Sequence, residues 1–202
     1  MKLLYSITSP FARKVRVFLA EAGLSDRVSV ESVSAVPTAP APAFAANNPL
    51  AKIPTLVLAS GEALYDSRVI VEFLDSMHTG EPLFPAPGPA RWTALRRQAL
   101  ADGAMDAAIL VRYEGFIRPK ELAWPDWVEG QMNKIRRALD ALEGEADSMI
   151  GKLTIGEITV ACLLDYLDFR YPAENWRNTR PKLAAFQAEF SARPSMVETR
   201  PS

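Results

Sequence analysis

Among 202 residues there is one cysteine, Cys162, and one histidine, His78. A lone thiol cannot close an intrachain disulfide, and it excludes both a Cys-x-x-Cys redox pair and a zinc site built from several thiolates. A single imidazole adds little from which to assemble a metal cluster, so no metal is expected. Long apolar runs are missing too. No stretch approaches the roughly 18 apolar residues that a membrane span needs, and the opening "MKLLYSITSP" lacks the apolar run of a signal peptide. The net charge is only -1, which gives no general pull toward nucleic acid or an anionic membrane. The expectation is a cytoplasmic protein that meets neither and recognises its ligand at a local site.

What is present is enough apolar material for a real core, 49% of the chain, in one domain or two small ones. The pattern changes character near residue 80. Before it, β-type runs "KLLYS" and "RVSVESV" flank a helical stretch, and "TLVLAS" and "EALYD" flank a Ser60-Gly61 turn. This reads as βαβ followed by a hairpin and a helix. In the first helix Phe11, Val15, Phe18, Leu19 and Ala22 share one face, Arg13, Lys14 and Arg16 occupy others, and Gly23 supplies the stop. A later helix repeats the logic with Ile70, Phe73, Leu74 and Met77. Between them "SAVPTAPAPAFAANNP", with four prolines, predicts at most a short helix near Ala43 to Ala46 in an otherwise extended, mobile loop. Residues 79–90, around "TGEPLFPAPGP", read as a linker between a first domain of residues 1–78 and an all-helical second domain of residues 91–202. The expected helices there are 92–117, 127–146, 155–169 and 181–191. The third, "IGEITVACLLDYL", is apolar nearly all round, which predicts a central buried helix with Cys162 in the core. A capping box from Thr154 to Glu157 starts it.

Several residues invite a local and a chemical reading. Ser9 before Pro10 makes a natural N-cap and N1 pair, yet a helix N-terminus also favours an anion placed against it. Pro54 before a strand can simply mark a loop end. Asp66 or Ser67 would cap the helix that begins near Arg68. Asp102 and Asp106 fall one turn apart, on a stripe shared with Leu95, Ala99, Ile109 and Tyr113. Two carboxylates on such a stripe need water or a cation.

Taken together, Ser-Pro at the first helix, "NPLAKIPTLV" before the hairpin, "LYDSRVIVEFL" after it and "TIGEITVA" in the helical half resemble a cytosolic glutathione transferase. The likeness covers nearly the whole chain and is nearest to short bacterial members that begin SPF-x-RKV. It implies a thioredoxin-like α/β N-terminal domain, an all-α C-terminal domain, and a homodimer that binds glutathione between domains. The implied activity is attack of the glutathione thiol on small apolar electrophiles in detoxification, or reduction of peroxides. A non-catalytic scaffold on the same fold is the other reading.

The resemblance also implies roles. As in serine-type members, the Ser9 hydroxyl would hydrogen-bond the glutathione sulfur and, with the helix end, lower the thiol pKa. Thr8 is a competing hydroxyl, and Tyr5 lies earlier than the activating tyrosine of tyrosine-type relatives. A cis bond before Pro54 would present the Ile53 backbone to the cysteinyl backbone of glutathione, and Lys52 would meet a carboxylate. Asp66 would take the γ-glutamyl ammonium and Ser67 its α-carboxylate, with Asp106 reaching across the dimer. Phe11, Ile109, Arg112, Tyr113 and Phe116 would line the electrophile pocket. Two features depart from the pattern. Residues 9–12 hold no cysteine, which argues against mixed-disulfide chemistry as in omega-like and glutaredoxin-like branches. Glu157 stands where relatives usually have Asp, although the longer side chain still satisfies the box.

Overall fold

The computed structural model describes residues 1–201, which fall into two units. The first comprises Met1–Gly88 together with the C-terminal segment from Arg193 onward, and the second is Pro89–Ala192.

In the first unit, strand β1 (Lys2–Tyr5) leads into helix α1 (Pro10–Glu21), then β2 (Ser29–Ser32), helix α2 (Pro42–Asn47), β3 (Thr55–Val57), β4 (Ala63–Leu64) and helix α3 (Ser67–Asp75). The sheet order is β2-β1-β3-β4. β2 runs parallel to β1, whereas β3 is antiparallel to both β1 and β4. Leu3 and Leu56, opposite each other in the central pair, are fully buried. β2 is an exposed edge strand, and a Lys2–Glu31 ion pair at 2.8 Å lies across it, the kind of charged edge that resists pairing with another chain. The hairpin strands are shorter than the apolar runs predict. The turn takes residues from both, with the Leu58 N–H donating to Glu62 O at 2.8 Å and Gly61 at φ +89°.

α1 departs from its expected single face. Arg13 and Lys14, placed by the pattern away from the core, are buried, while Phe11 and Ala22 are half-buried. For Arg13 the cause lies at the other end of the chain. Arg13 donates from Nη2 to Met196 O at 3.0 Å and from Nε to Thr199 Oγ1 at 3.3 Å. α3 buries Ile70, Val71 and Leu74. Part of the expected linker belongs to this unit's core: Leu83 and Phe84 are buried, and the Phe84 ring lies 6.3 Å from that of Phe18. The Asp75 carboxylate fastens them, accepting from the Leu83 N–H at 2.8 Å and the Phe84 N–H at 3.3 Å.

The second unit is built from α4 (Pro89–Phe116), α5 (Pro125–Glu145), α6 (Ile155–Arg170) and α7 (Pro181–Phe190), and α4 packs against α5 and α6. α6 is buried without interruption from Ile155 to Leu164, as its all-round apolar pattern predicts, and Cys162 is a fully buried thiol within it. The α4 stripe is corrected. Its buried face runs through Ala94, Arg97, Ala101, Met105 and Ala108, whereas Leu95, Ile109 and Tyr113 are half-buried and Ala99 and Asp106 are exposed. Asp102 is fully buried, so the two carboxylates occupy different environments. Small residues set this face because they admit a close neighbour. A Cβ on Gly156 of α6 would lie 3.0 Å from the Ala94 carbonyl and 3.1 Å from Arg97 Cβ.

The capping box at α6 forms, with the Thr154 N–H donating to Glu157 Oε2 at 3.0 Å and the Gly156 N–H to Thr154 Oγ1 at 3.1 Å. The extra methylene of Glu157 has a further use. Its Oε1 accepts from Arg97 Nη1 at 2.6 Å in a buried ion pair, while Arg97 also donates to Glu145 Oε2 at 3.0 Å and to Ser148 Oγ.

A last helix, α8 (Pro194–Glu198), returns to the first unit. Arg193 donates twice to the Glu21 carboxylate at 2.7 Å, and Ser195 Oγ donates to the same group at 2.5 Å. The second domain was expected to run to residue 202, but these bonds group the segment from Arg193 with the first unit. Among the described residues, no helix is long and apolar enough to cross a membrane, and no group of three or more metal-ligating side chains could hold a metal ion.

Candidate functional site

Strand direction gathers three turns. β3 is antiparallel to β1 and β4, with Leu4 opposite Thr55 and Leu56 opposite Leu64. The start of β3 therefore lies beside the ends of β1 and β4. Residues 6–9, 48–54 and 65–67 meet at this end of the sheet, where α1 and α3 also begin.

Ser9 is the N-cap of α1 and Pro10 its first residue. Ser9 Oγ accepts the Ala12 N–H at 3.2 Å. A hydroxyl has one donor and two acceptor positions, so this cap occupies a lone pair and leaves the O–H to donate elsewhere. Capping and chemistry do not compete here. The Thr8 hydroxyl is paired with Ser6 Oγ at 3.3 Å. The Tyr5 ring is covered by the Arg16 guanidinium, 5.1 Å from its centroid.

The peptide bond before Pro54 is cis, as is the one before Asp66. Pro54 is buried, Ile53 half-buried and Lys52 exposed. Among the described residues, nothing hydrogen-bonds the Ile53 backbone. Its neighbours are tied down by a residue that motif reasoning passed over. Asn48, 1% exposed, donates from Nδ2 to Lys52 O at 2.9 Å and to Thr55 Oγ1 at 3.0 Å, and its Oδ1 accepts the Leu50 N–H at 3.0 Å. Thr55 Oγ1 in turn donates to Lys52 O at 2.9 Å. The signal was an Asn-Pro turn ahead of a strand: a short amide side chain folds back onto its own loop.

At α3, Asp66 is the N-cap and its Oδ1 accepts the Arg68 N–H at 2.9 Å. Asp66 is exposed, while Ser67, the first helical residue, is 3% exposed. This end of the sheet thus offers two helix N-termini, a strand-like edge at Ile53 and a carboxylate. Free amides and partial positive charge suit carboxylate groups, and Asp66 suits a cation.

The remaining predicted residues are divided between the units. Phe11 belongs to the first; Asp106, Ile109, Arg112, Tyr113 and Phe116 lie on α4 in the second. The Arg112 guanidinium stacks on Phe116, 4.2 Å from the ring centroid, and Phe116 is 67% exposed. Burial pushes the Tyr113 phenol above its ordinary pKa, so it stays a neutral donor.

A four-stranded α/β unit with this site, joined in one chain to a helical unit, is the architecture of the glutathione S-transferases. The family profile "Glutathione S-transferase, N-terminal domain" matches residues 8–77, and "Glutathione S-transferase, C-terminal domain" matches residues 125–186. The chain belongs to this family. It is 34% identical to the uncharacterized GST-like protein YibF of Escherichia coli K12, over 100% of this chain and 98% of that one. A glutathione transferase family member from Pseudomonas fluorescens Pf-5, solved with bound glutathione, superposes with a TM-score of 0.97 at 49% identity, covering 100% of this chain and 98% of that one. A family member from the same organism, solved with bound S-(propanoic acid)-glutathione, gives 0.93 at 47% identity over 100% of both chains.

Proposed function

We propose that the protein is a serine-type glutathione transferase of the cytoplasm, one that lowers the thiol pKa of glutathione for attack on a small electrophile. The reading rests on one observation: Ser9 with its O–H uncommitted, the unengaged Ile53 backbone and the Asp66-Ser67 helix start are all drawn to the same end of the sheet. Ile53 would pair with the cysteinyl backbone as an added strand. Asp66 would take the γ-glutamyl ammonium, and Ser67 with the α3 amides its carboxylate. Lys52, exposed on the same loop, would meet the other carboxylate. The sulfur would then lie at the α1 N-terminus, where the Ser9 hydroxyl and the helix end both favour thiolate over thiol.

Ile109, Arg112, Tyr113 and Phe116 would face the second substrate. Its transfer leaves a small substituent on sulfur, of the kind seen in the S-(propanoic acid)-glutathione bound by the Pseudomonas relative. Two copies would assemble, with exposed Asp106 reaching the partner copy's γ-glutamyl ammonium. Capture on immobilised glutathione tests the core of this reading: the wild type is retained and Asp66→Ala is not. Passage of the wild type straight through the column would reject it in favour of a scaffold on the same fold.

A further inference from the structure

Where α6 ends, the second unit gathers hydrogen-bond donors and gives them little to bind. The Tyr171 O–H donates to Ala108 O at 2.5 Å, one helical turn before Arg112. That bond draws the end of α6 onto α4. Arg112 is stacked on Phe116 at 4.2 Å and Arg170 on Phe169 at 4.1 Å, so both guanidinium planes are held against rings. Tyr166 lies against Arg170 and within electrostatic reach of Tyr113 and Arg112, and Tyr171 feels both guanidiniums. Burial raises the pKa of all three phenols, Tyr113, Tyr166 and Tyr171, which keeps them protonated at neutral pH.

What this cluster lacks is a carboxylate. Elsewhere in the unit Arg96, Arg97, Arg118, Arg136, Arg177 and Arg180 each have an acidic partner, and Arg137 is exposed to solvent. Among the described residues neither Arg112 nor Arg170 does, and the buried Nε of Arg170 has no acceptor. Two cations that act on the same phenols repel each other, and partly desolvated positive charge is costly without a counter-ion. The place of Arg170 in the last turn of α6 suits the helix end. That leaves Arg112 unexplained, along with the unused donors. Planar forks backed by aromatic rings are built to receive a carboxylate in bidentate fashion.

We infer that Arg112 and Arg170 bind the carboxylate of the second substrate, which makes that substrate a small carboxylic acid bearing an electrophilic carbon. The inference deepens the transferase reading and rests on it. With 3-bromopropanoate as probe, the glutathione sulfur forms a bond to the carbon that carries bromine. The C–Br bond breaks, bromide leaves with the bonding pair, and the thiol proton passes to solvent.

The test compares kcat/KM for 3-bromopropanoate with that for its neutral counterpart 3-bromopropanamide. The variants are Arg112→Met, Arg170→Met, the double variant and Arg112→Lys, each checked for native circular dichroism. The acid-over-amide ratio is expected to fall at least tenfold in the double variant, mainly through KM for the acid, with partial recovery in Arg112→Lys. A glutathione-free arm measures benzoate binding by saturation-transfer NMR, and the signal of the wild type should vanish in the double variant. An unchanged ratio, or benzoate bound equally by wild type and double variant, overturns the inference. A wild type that turns over neither bromide retires the transferase reading instead, and the benzoate arm then decides the anion site by itself.

Discussion

Replacing Ser9 separates two jobs that one hydroxyl performs. Its lone pair caps α1 through the Ala12 N–H at 3.2 Å, toward the long end of the usual range. Losing the cap in Ser9→Ala should therefore cost about 1 kcal/mol of stability, within the 0.5–2 kcal/mol found for such caps, whereas Ser9→Gly should cost only a few tenths. The O–H donor is absent from both variants. A hydrogen bond to a charged acceptor contributes about 1.5–3 kcal/mol. At about 1.4 kcal/mol per pKa unit, its loss raises the pKa of the bound thiol by about one to two units. Ultraviolet titration of the thiolate in the glutathione complex reads the second effect, and urea unfolding reads the first. Ser9→Ala and Ser9→Gly should differ in stability yet show the same thiol shift, and Ser9→Thr should resemble the wild type in both. A thiol pKa that stays put in Ser9→Gly would refute the assignment and promote Thr8 as the activating hydroxyl.

Other outcomes follow from the polar contacts. Glu157→Gln should keep the shape of the α6 cap but leave buried Arg97 with Glu145 as its one acidic partner. A loss near 3 kcal/mol, the low end for breaking a buried pair, should appear as a lower urea midpoint. Asn48→Ala removes the two bonds that Nδ2 donates to Lys52 O and Thr55 Oγ1 and should weaken glutathione binding about tenfold by calorimetry, or about 1.4 kcal/mol. The Glu21 carboxyl is held below its ordinary 4.5 by hydrogen bonds from Arg193, against the opposing effect of burial. A depressed folded-state pKa gives stability that is fully present above 4.5 and lost as pH falls through the folded value. The stability gap between wild type and Arg193→Gln should accordingly be widest above pH 4.5 and close in more acid solution; a gap that does not vary with pH would contradict this.

What could be read in advance was whatever the chain settles within a turn or two. Ser9, Asp66 and Thr154 cap helices whose amides lie two or three residues away, and the apolar run of α6 announces its own burial. Arg13 looked like surface charge because its partners, Met196 and Thr199, stand 183 and 186 residues further on, beyond any local rule. α4 was turned the wrong way because alanine ranks as a weak apolar residue, whereas close approach to α6 makes Ala94, Ala101 and Ala108 the buried face. The linker hid two anchors, Leu83 and Phe84, whose place depends on the Asp75 carboxylate reaching forward to their amides. Within the candidate site, the motifs picked out the side chains that cap α1 and α3. They missed Asn48, whose contribution is to hold a turn.

The stitching of α8 onto α1 carries a consequence for synthesis. The first unit is completed by residues from Arg193 onward, made only after about 100 residues of the helical unit have been added. At about 5–20 residues per second, the Arg13 guanidinium and the Glu21 carboxylate wait roughly 5–20 s for the partners that the finished fold gives them. During that interval the nascent unit must survive on the packing of Leu3, Val15, Phe18 and Leu56, and the ribosome has yet to add the α8 clasp.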